Sequence, residues 1–296
     1  MSRPDDLRDA SAVATYYLDC ERMRHPLTGV YEFCRRLGTA ISRRLESGER
    51  IVRYGPELPE GTFPESVGTL RQHSYHKFTR IRPKDATLWH GCYQRTQYLP
   101  SRKIPFVLTI HDLNFLHEGK SSNSLRRNIQ RVQKNVDRAA ALVAISEFVA
   151  GDIRHYLRLE ESRLHVVHNG CERIDLADRT RPASVPERDF VFALGPTNAK
   201  KNFHVLPALL LGNDFELVIA GFSEEPYAGR ILNHAAALGV SDRVRIVGPV
   251  SESEKAWYYA NCSAFAFPSL AEGFGLPVVE AMLFGKRVFL LLAVTG

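Results

Sequence analysis

Two carboxylates, Glu272 and Glu280, bracket the turn Gly273-Phe274-Gly275-Leu276-Pro277, with seven residues between them. An apolar run at 264–267 leads into this turn and a helical pattern at 278–284 leads out. Where a strand gives way to a helix, main-chain amides and a yielding backbone meet, and that edge suits a polar ligand. Gly273 and Gly275 let the chain approach a bound group closely or take a positive φ. Pro277 suits a first helical position, which needs no amide donor, and Glu280 is then expected in the first turn, where the helix dipole favours a carboxylate. Taken singly, Glu280 is explained as a dipole partner and Glu272 as a solvated loop acid. The ordered set of two glycines, a proline and two acids is more than a plain connector needs.

A second constellation is Gly195-Pro196-Thr197-Asn198-Ala199-Lys200-Lys201-Asn202, between a predicted strand and a predicted helix. Helix amides and a cation there would hold a phosphate, although a solvated lysine pair fits the spacing equally well. The string is neither a Walker A sequence nor a G-x-G-x-x-G fingerprint, so ATP hydrolysis and dinucleotide redox chemistry lose their usual support. A third candidate is Thr109-Ile110-His111-Asp112 at the end of a predicted strand, where a histidine is more often a hydrogen-bonding scaffold residue.

The elements that must carry these residues alternate. Strands are expected at 14–18, 106–110, 142–145, 165–168, 190–194, 215–220, 244–247 and 264–267, with helices at 29–45, 125–137, 146–157, 202–211, 228–238 and 251–259. Alternation of this kind predicts parallel sheets flanked by helices, an α/β protein. The stretch 52–86 reads as loops and short elements. The region 174–188, with Pro182, Pro186 and many charges, reads as a linker. A boundary near Arg181 gives two domains, 1–180 and 181–296.

The 296 residues, 44% apolar and 24% charged, are ordinary for a globular protein of two domains. No run approaches the ~18–20 apolar residues of a bilayer span. The opening MSRPDDLRDA lacks the apolar core of a signal peptide, so a cytoplasmic location is expected. Five cysteines, Cys20, Cys34, Cys92, Cys171 and Cys262, never form a C-x-x-C pair, which argues against a disulfide framework or structural zinc. The net charge of +6 is uneven: between Arg71 and Ala140 fourteen Lys or Arg face four acids. At 125–137 Leu125, Ile129, Val132 and Val136 form one helical stripe, and Arg126, Arg127, Arg131, Lys134 and Arg138 lie off it. Such a face is usually a solvated surface. Attraction to an anionic membrane surface comes next, and nucleic acid is not expected, because no recognised binding motif accompanies the charge.

On these residues the chain resembles the retaining group-one nucleotide-sugar glycosyltransferases, whose Glu-seven-Glu signature matches Glu272 and Glu280. Lys201, His111-Asp112, Ala144-Ile145-Ser146-Glu147-Phe148 and Val167-His168-Asn169-Gly170 match further family positions; Trp89-His90, Gln94 and Pro100 loosely resemble bacterial polysaccharide mannosyltransferases. The resemblance implies a GT-B fold, two Rossmann-like domains facing a cleft, with the acceptor on the first and the donor on the second. It places Glu272 and His111 at the transferred sugar and the amides of Gly273, Phe274, Gly275 and Leu276 on its hydroxyls. Lys200, Lys201 and amides near Asn202 fall on the donor diphosphate and Glu280 on the ribose. Many members carry an Arg earlier in the lysine loop, where Thr197 stands here. Beyond scaffold roles, Ser146 is expected to cap a helix and Gly170 to supply a positive φ in a turn. The expected reaction moves a hexosyl group, best guessed as mannosyl from GDP-mannose with UDP-sugars open, to a glycan or lipid-linked hydroxyl, without a metal or other cofactor. The resemblance covers about residues 14–289. Family members continue beyond it, so the second domain is expected to be incomplete and to expose an apolar edge. The alternatives are an inactive remnant that still binds nucleotide sugar, and a GT-B sugar-nucleotide epimerase.

Overall fold

The computed structural model describes residues 13–26, 28–116, 121–171 and 179–291. The opening decapeptide, the first part of the expected linker, to 178, and the last five residues lie outside that set. The chain divides into two compact units, Met1–Asn169 and Gly170–Gly296.

The first unit runs β1 (Ala14–Asp19), α1 (Gly29–Ser42), β2 (Glu49–Gly55), β3 (Gly68–Arg71), β4 (Ala86–Gly91), β5 (Phe106–Ile110), α2 (Ser122–Arg138), β6 (Ala141–Ala144), α3 (Glu147–Tyr156) and β7 (Leu164–Val166). Its strands form one parallel sheet in the order β3-β2-β1-β4-β5-β6-β7. The stretch expected to hold loops and short elements contains β3, a short element, and most of β2. Short strands and Pro56, Pro59 and Pro64 between them hide the pattern. Ser146 Oγ accepts from Val149 N at 3.2 Å and caps α3 as expected. Gly170, by contrast, does not enter the left-handed region. In α2, Val132 and Val136 of the apolar stripe are fully buried. Arg138 departs from the solvated face, donating to Ser101 O at 2.7 Å and Ile104 O at 2.9 Å.

The second unit runs β8 (Phe190–Leu194), β9 (Glu216–Ala220), α4 (Tyr227–Ala237), β10 (Val244–Gly248), α5 (Glu252–Asn261), β11 (Ala264–Phe267), α6 (Leu276–Leu283) and β12 (Arg287–Leu290). All strands are parallel, in the order β10-β9-β8-β11-β12. Side chains alternate faces along a strand, so β8 sends Val191 and Ala193 to one core and Phe190 and Phe192 to the other. Leu217 and Ile219 of β9 join the first core; Val218 and Ala220 join the second. Both faces are covered, which is why these strands read as continuous apolar runs. From Arg179 onward the expected linker packs on α5: Thr180 N donates to Ser253 O, and Tyr258 Oη donates to Ser184 O at 2.6 Å. The apolar residues Phe289 and Leu290 of β12, at the sheet edge, are about half exposed.

In place of the helix expected at 202–211, the chain forms a 3-10 helix, Phe203–Leu210. Pro207 inside it removes one amide donor and disfavours regular α-helical bonding, and Asn202 before it sits at φ 58. Among the described residues no helix is long and apolar enough to cross a membrane.

The ends of β8 and β9 meet so closely that only glycine fits. A Cβ on Gly221, at φ +136, would lie 2.2 Å from the carbonyl oxygen of Gly195. Gly221→Ala is expected to destabilise the second unit by roughly 3 kcal/mol, the order of an overpacked site on a glycine-only backbone. Urea unfolding reads this as a lower midpoint; an unchanged midpoint contradicts the packing described.

Candidate active site

In the sheet of the second unit, β8 is followed by β9 on one side, and after β10 the chain crosses to lay β11 on the other side of β8. The loops after β8 and β11 thus diverge at a topological switch point, where doubly wound sheets hold ligands beyond the strand ends. The two constellations read from the sequence occupy these two loops.

They are bound together at three points. Leu270 N donates to Lys200 O at 2.9 Å. Lys201 Nζ donates to Glu272 Oε1 at 2.7 Å, and Lys200 Nζ lies 3.9 Å from the same oxygen. The Lys201 ammonium also sits 4.5 Å from the centre of the Phe267 ring, at the end of β11. Gly195 makes room for this side chain: a Cβ there would lie 2.9 Å from Lys201 Cε. Burial pushes the Lys201 ammonium below its ordinary value, and the attraction of Glu272 only partly opposes that. Two ammonium groups share one carboxylate, so this corner keeps a net positive charge.

The main chain of the loop is already engaged. Lys201 N and Asn202 N both donate to Asn198 O, at 3.1 and 3.3 Å, so the amides near Asn202 that were expected to meet a diphosphate are engaged and the lysine side chains are the cationic donors here. Thr197 ties the loop to the one after β9, with its N donating to Phe222 O and its Oγ1 accepting from Glu224 N, each at 2.9 Å. On the β11 side Gly273 and Phe274 form a bend, and Gly275, at φ 78, precedes α6, which begins at Leu276. Pro277 is therefore the second helical residue.

Glu280 differs from its expected place. It is the fifth residue of α6, past the first turn, and only 4% exposed. Its carboxylate accepts from Lys255 Nζ and Tyr259 Oη, each at 3.1 Å, both on α5. Burial alone would lower the Lys255 ammonium, but Glu280 and Glu252 outweigh it and hold it above its ordinary value. Burial, then Glu280, pushes the Tyr259 phenol well up. The sequence reading missed Lys255 and Tyr259. The available signal was a lysine among the inward residues Ala256, Tyr258 and Tyr259 of α5, a place where only a paired cation is stable.

In the first unit His111 follows β5 and is buried, with its ring edge-on to Phe33 at 4.5 Å between centres. Its Nε2–H donates to Cys92 O at 2.9 Å, which leaves Nδ1 as the acceptor, and burial pushes the imidazole down, so it is neutral at pH 7. Gln94 holds the His111-Asp112 turn from both ends: Oε1 accepts from His111 N at 3.4 Å, and Nε2 donates to Asp112 O at 2.8 Å. At the β1/β4 switch point of this unit, Thr96 Oγ1 donates to Asp19 Oδ2 at 2.7 Å. Burial, with Glu21 beside it, pushes the Asp19 carboxyl well above the usual range. Three cysteines that are scattered in sequence come together here. Cys34 Sγ donates to Asp19 O and Cys92 Sγ to His90 O, each at 4.0 Å; the neighbouring thiols hold Cys34 low, while burial pushes Cys20 and Cys92 up. Asp19, Thr96 and this thiol cluster carry no motif that a single sequence displays.

Known proteins resemble this chain in sequence and in fold. Residues 33–173 match the family description Glycosyltransferase Family 4, and residues 177–291 match Glycosyl transferases group 1. O-antigen chain mannosyltransferase B of Escherichia coli is 23% identical over 90% of this chain and 80% of its own length. The serotype-specific mannosyltransferase WbdA of Escherichia coli is 30% identical over 64% of this chain; the match spans only 26% of WbdA. Anabaena HepE in complex with UDP and glucose superposes at TM-score 0.66, 15% identity, over 93% of this chain and 80% of HepE. Sucrose-phosphate synthase from Thermosynechococcus elongatus gives TM-score 0.68, 17% identity, over 94% and 81%. At such identities the solved structures establish the fold, which is GT-B. The chain belongs to the group 1 glycosyltransferases and resembles their polysaccharide mannosyltransferases.

Two outcomes follow from this geometry. Lys255→Met leaves Glu280 buried without its cation and is expected to destabilise the second unit by about 3 kcal/mol, whereas Lys255→Met/Glu280→Met should recover much of that. Losses that simply add in denaturant unfolding contradict the pairing. In the first unit burial, with His111 adding to it, pushes the His90 imidazole from 6.5 down to about 4. The unfolded chain then binds the proton more readily, so stability present above pH 6.5 is lost as pH falls toward 4, by up to about 3 kcal/mol. His90→Gln should remove this part of the pH dependence; identical slopes for both proteins between pH 7 and 4.5 would refute it.

Proposed function

We propose that this glycosyltransferase moves a mannosyl group from GDP-mannose, with retention of configuration, to a hydroxyl of a glycan or lipid-linked acceptor. The observation that carries the reading is the lysine pair facing Glu272 across the β8/β11 switch point. As the bond from the anomeric carbon to phosphate breaks, positive charge grows on the sugar and negative charge on the departing diphosphate. Lys200 and Lys201 answer the second, and Glu272 the first. Until donor arrives, Glu272 serves as their counter-ion. The diphosphate competes for the ammonium groups and releases the carboxylate toward the sugar.

Glu280 suits the ribose because a carboxylate offers about four acceptor sites, and Lys255 and Tyr259 use two of them. The amides from Gly273 to Leu276 would hold sugar hydroxyls. His111 would meet the sugar through Nδ1, since its Nε2–H is committed to Cys92. In this reading residues 1–180 take the acceptor and 181–296 the donor, in the cytoplasm, with the basic face of α2 toward an anionic membrane that carries the acceptor. Mannose is favoured because relatives that match this chain are named mannosyltransferases. UDP-sugars remain the competing donors, as UDP is bound in the HepE structure.

Lys201→Ala is expected to lower kcat by roughly 100-fold, the usual loss for one oriented electrostatic donor. Glu272→Ala should lose at least as much while still binding nucleotide. Full turnover by either variant refutes the role given to that residue. Calorimetric titration with GDP-mannose, UDP-glucose and UDP-N-acetylglucosamine ranks the donors, and tightest binding of a UDP-sugar would displace the mannosyl assignment.

A further inference from the structure

The first unit contains a cavity of about 810 Å³, and seven of its twelve lining residues are Lys or Arg. Its fixed wall is made by Arg95 and Arg138, each oriented by neutral acceptors. Arg95 donates to Tyr93 Oη at 2.7 Å and to Asn128 Oδ1 at 3.2 Å. Arg138 is tied to Ser101 O and Ile104 O, and its buried Nε has no hydrogen-bond partner. Ile104 precedes β5, so this guanidinium lies toward the end of that strand opposite His111. Around these two stand the exposed side chains of Lys77, Arg80, Arg102, Arg131 and Lys134. The lining holds one acid, Asp137, whose Oδ1 accepts from Gln133 Nε2 at 2.7 Å. Among the described residues none of the seven cations has a carboxylate within ion-pair distance.

Several cations elsewhere in the chain do have one. On α1 Arg35 pairs with Glu32, Arg154 of α3 pairs with Glu161, and Lys201 and Lys255 of the second unit pair with Glu272 and Glu280. An ordinary solvated surface intersperses its charges in that way. Here like charges crowd instead: burial, then Arg80 and Arg102, lowers the Arg138 guanidinium. Arginine and lysine that are pre-oriented without a counter-ion match the oxygens of phosphate. The volume exceeds what a lone ion needs.

We propose that this cavity binds a ligand carrying two or more phosphate charges, either a free phosphorylated molecule or the phosphate of a lipid headgroup. The site is separate from the donor lysines and does not depend on the mannosyl reading.

The test titrates inorganic pyrophosphate calorimetrically into the full chain carrying Lys200→Ala/Lys201→Ala, so that the second unit does not contribute. One binding event is expected, weakened by added salt. Adding Arg131→Glu/Lys134→Glu, both exposed, should weaken it at least tenfold, and Arg80→Glu/Arg102→Glu should do the same. Absence of binding, or an affinity unchanged by both reversals, overturns the proposal. Cosedimentation with vesicles containing phosphatidic acid, whose phosphomonoester can carry two charges, against pure phosphatidylcholine then identifies the source. Retention that is lost on charge reversal assigns a lipid headgroup, and pyrophosphate binding without retention assigns a soluble phosphate; either supports the site. Loss of the donor role is read separately, from turnover by Lys201→Ala alone.

Discussion

The ion pair between Lys201 and Glu272 is the interaction on which the second unit's chemistry rests. It joins two loops that leave adjacent parallel strands in different directions, and it does so over a partly buried ammonium at 2.7 Å. A buried cation is tolerable only when paired, so burial, the Phe267 ring and Glu272 must be present together. The glycine at 195 follows from that requirement, since any side chain there would displace the lysine. The sequence of two lysines, a glycine-bearing turn and two acids is thus one electrostatic arrangement spread over more than eighty residues.

The second carboxylate is held by the same logic one layer deeper. Glu280 is stabilised by Lys255 and Tyr259 from α5, so α5, α6 and the second apolar core of the sheet become one packed group. The first unit handles polar groups differently. Its switch point carries a raised acid bonded to Thr96 and a neutral histidine clamped by Gln94, with thiols beneath. Its cations, in contrast, are gathered on α2 and the 77–102 stretch with little compensation. In the second unit the site lysines are paired with carboxylates, whereas among the described residues this group of first-unit cations has no carboxylate partner.

Much of the frame was legible because strands buried on both faces must be apolar throughout. The expected bounds of β5, β8 and β11 coincide with the observed ones for that reason. Strands β2 and β3 were not legible: Glu49, Arg50 and Arg53 break the apolar run of β2, and β3 has four residues. The 3-10 helix at 203–210 escaped because apolar spacing does not report the hydrogen-bond pattern that Pro207 disrupts. At the site, residue types gave Lys201, Glu272 and Glu280, but local rules misplaced Glu280 as a dipole partner. Its partners lie 21 and 25 positions upstream, beyond any local rule. The thiol cluster and Asp19 depend on strand order, which a single sequence does not display.

A crystal structure of the chain with GDP-mannose bound tests the central claim most directly. The account predicts diphosphate oxygens within hydrogen-bond distance of Lys201 Nζ and Lys200 Nζ, the ribose on Glu280, and Glu272 turned from the lysine toward the sugar. Nucleotide density away from the β8 and β11 loops, with the 2.7 Å contact between Lys201 and Glu272 intact, would contradict it.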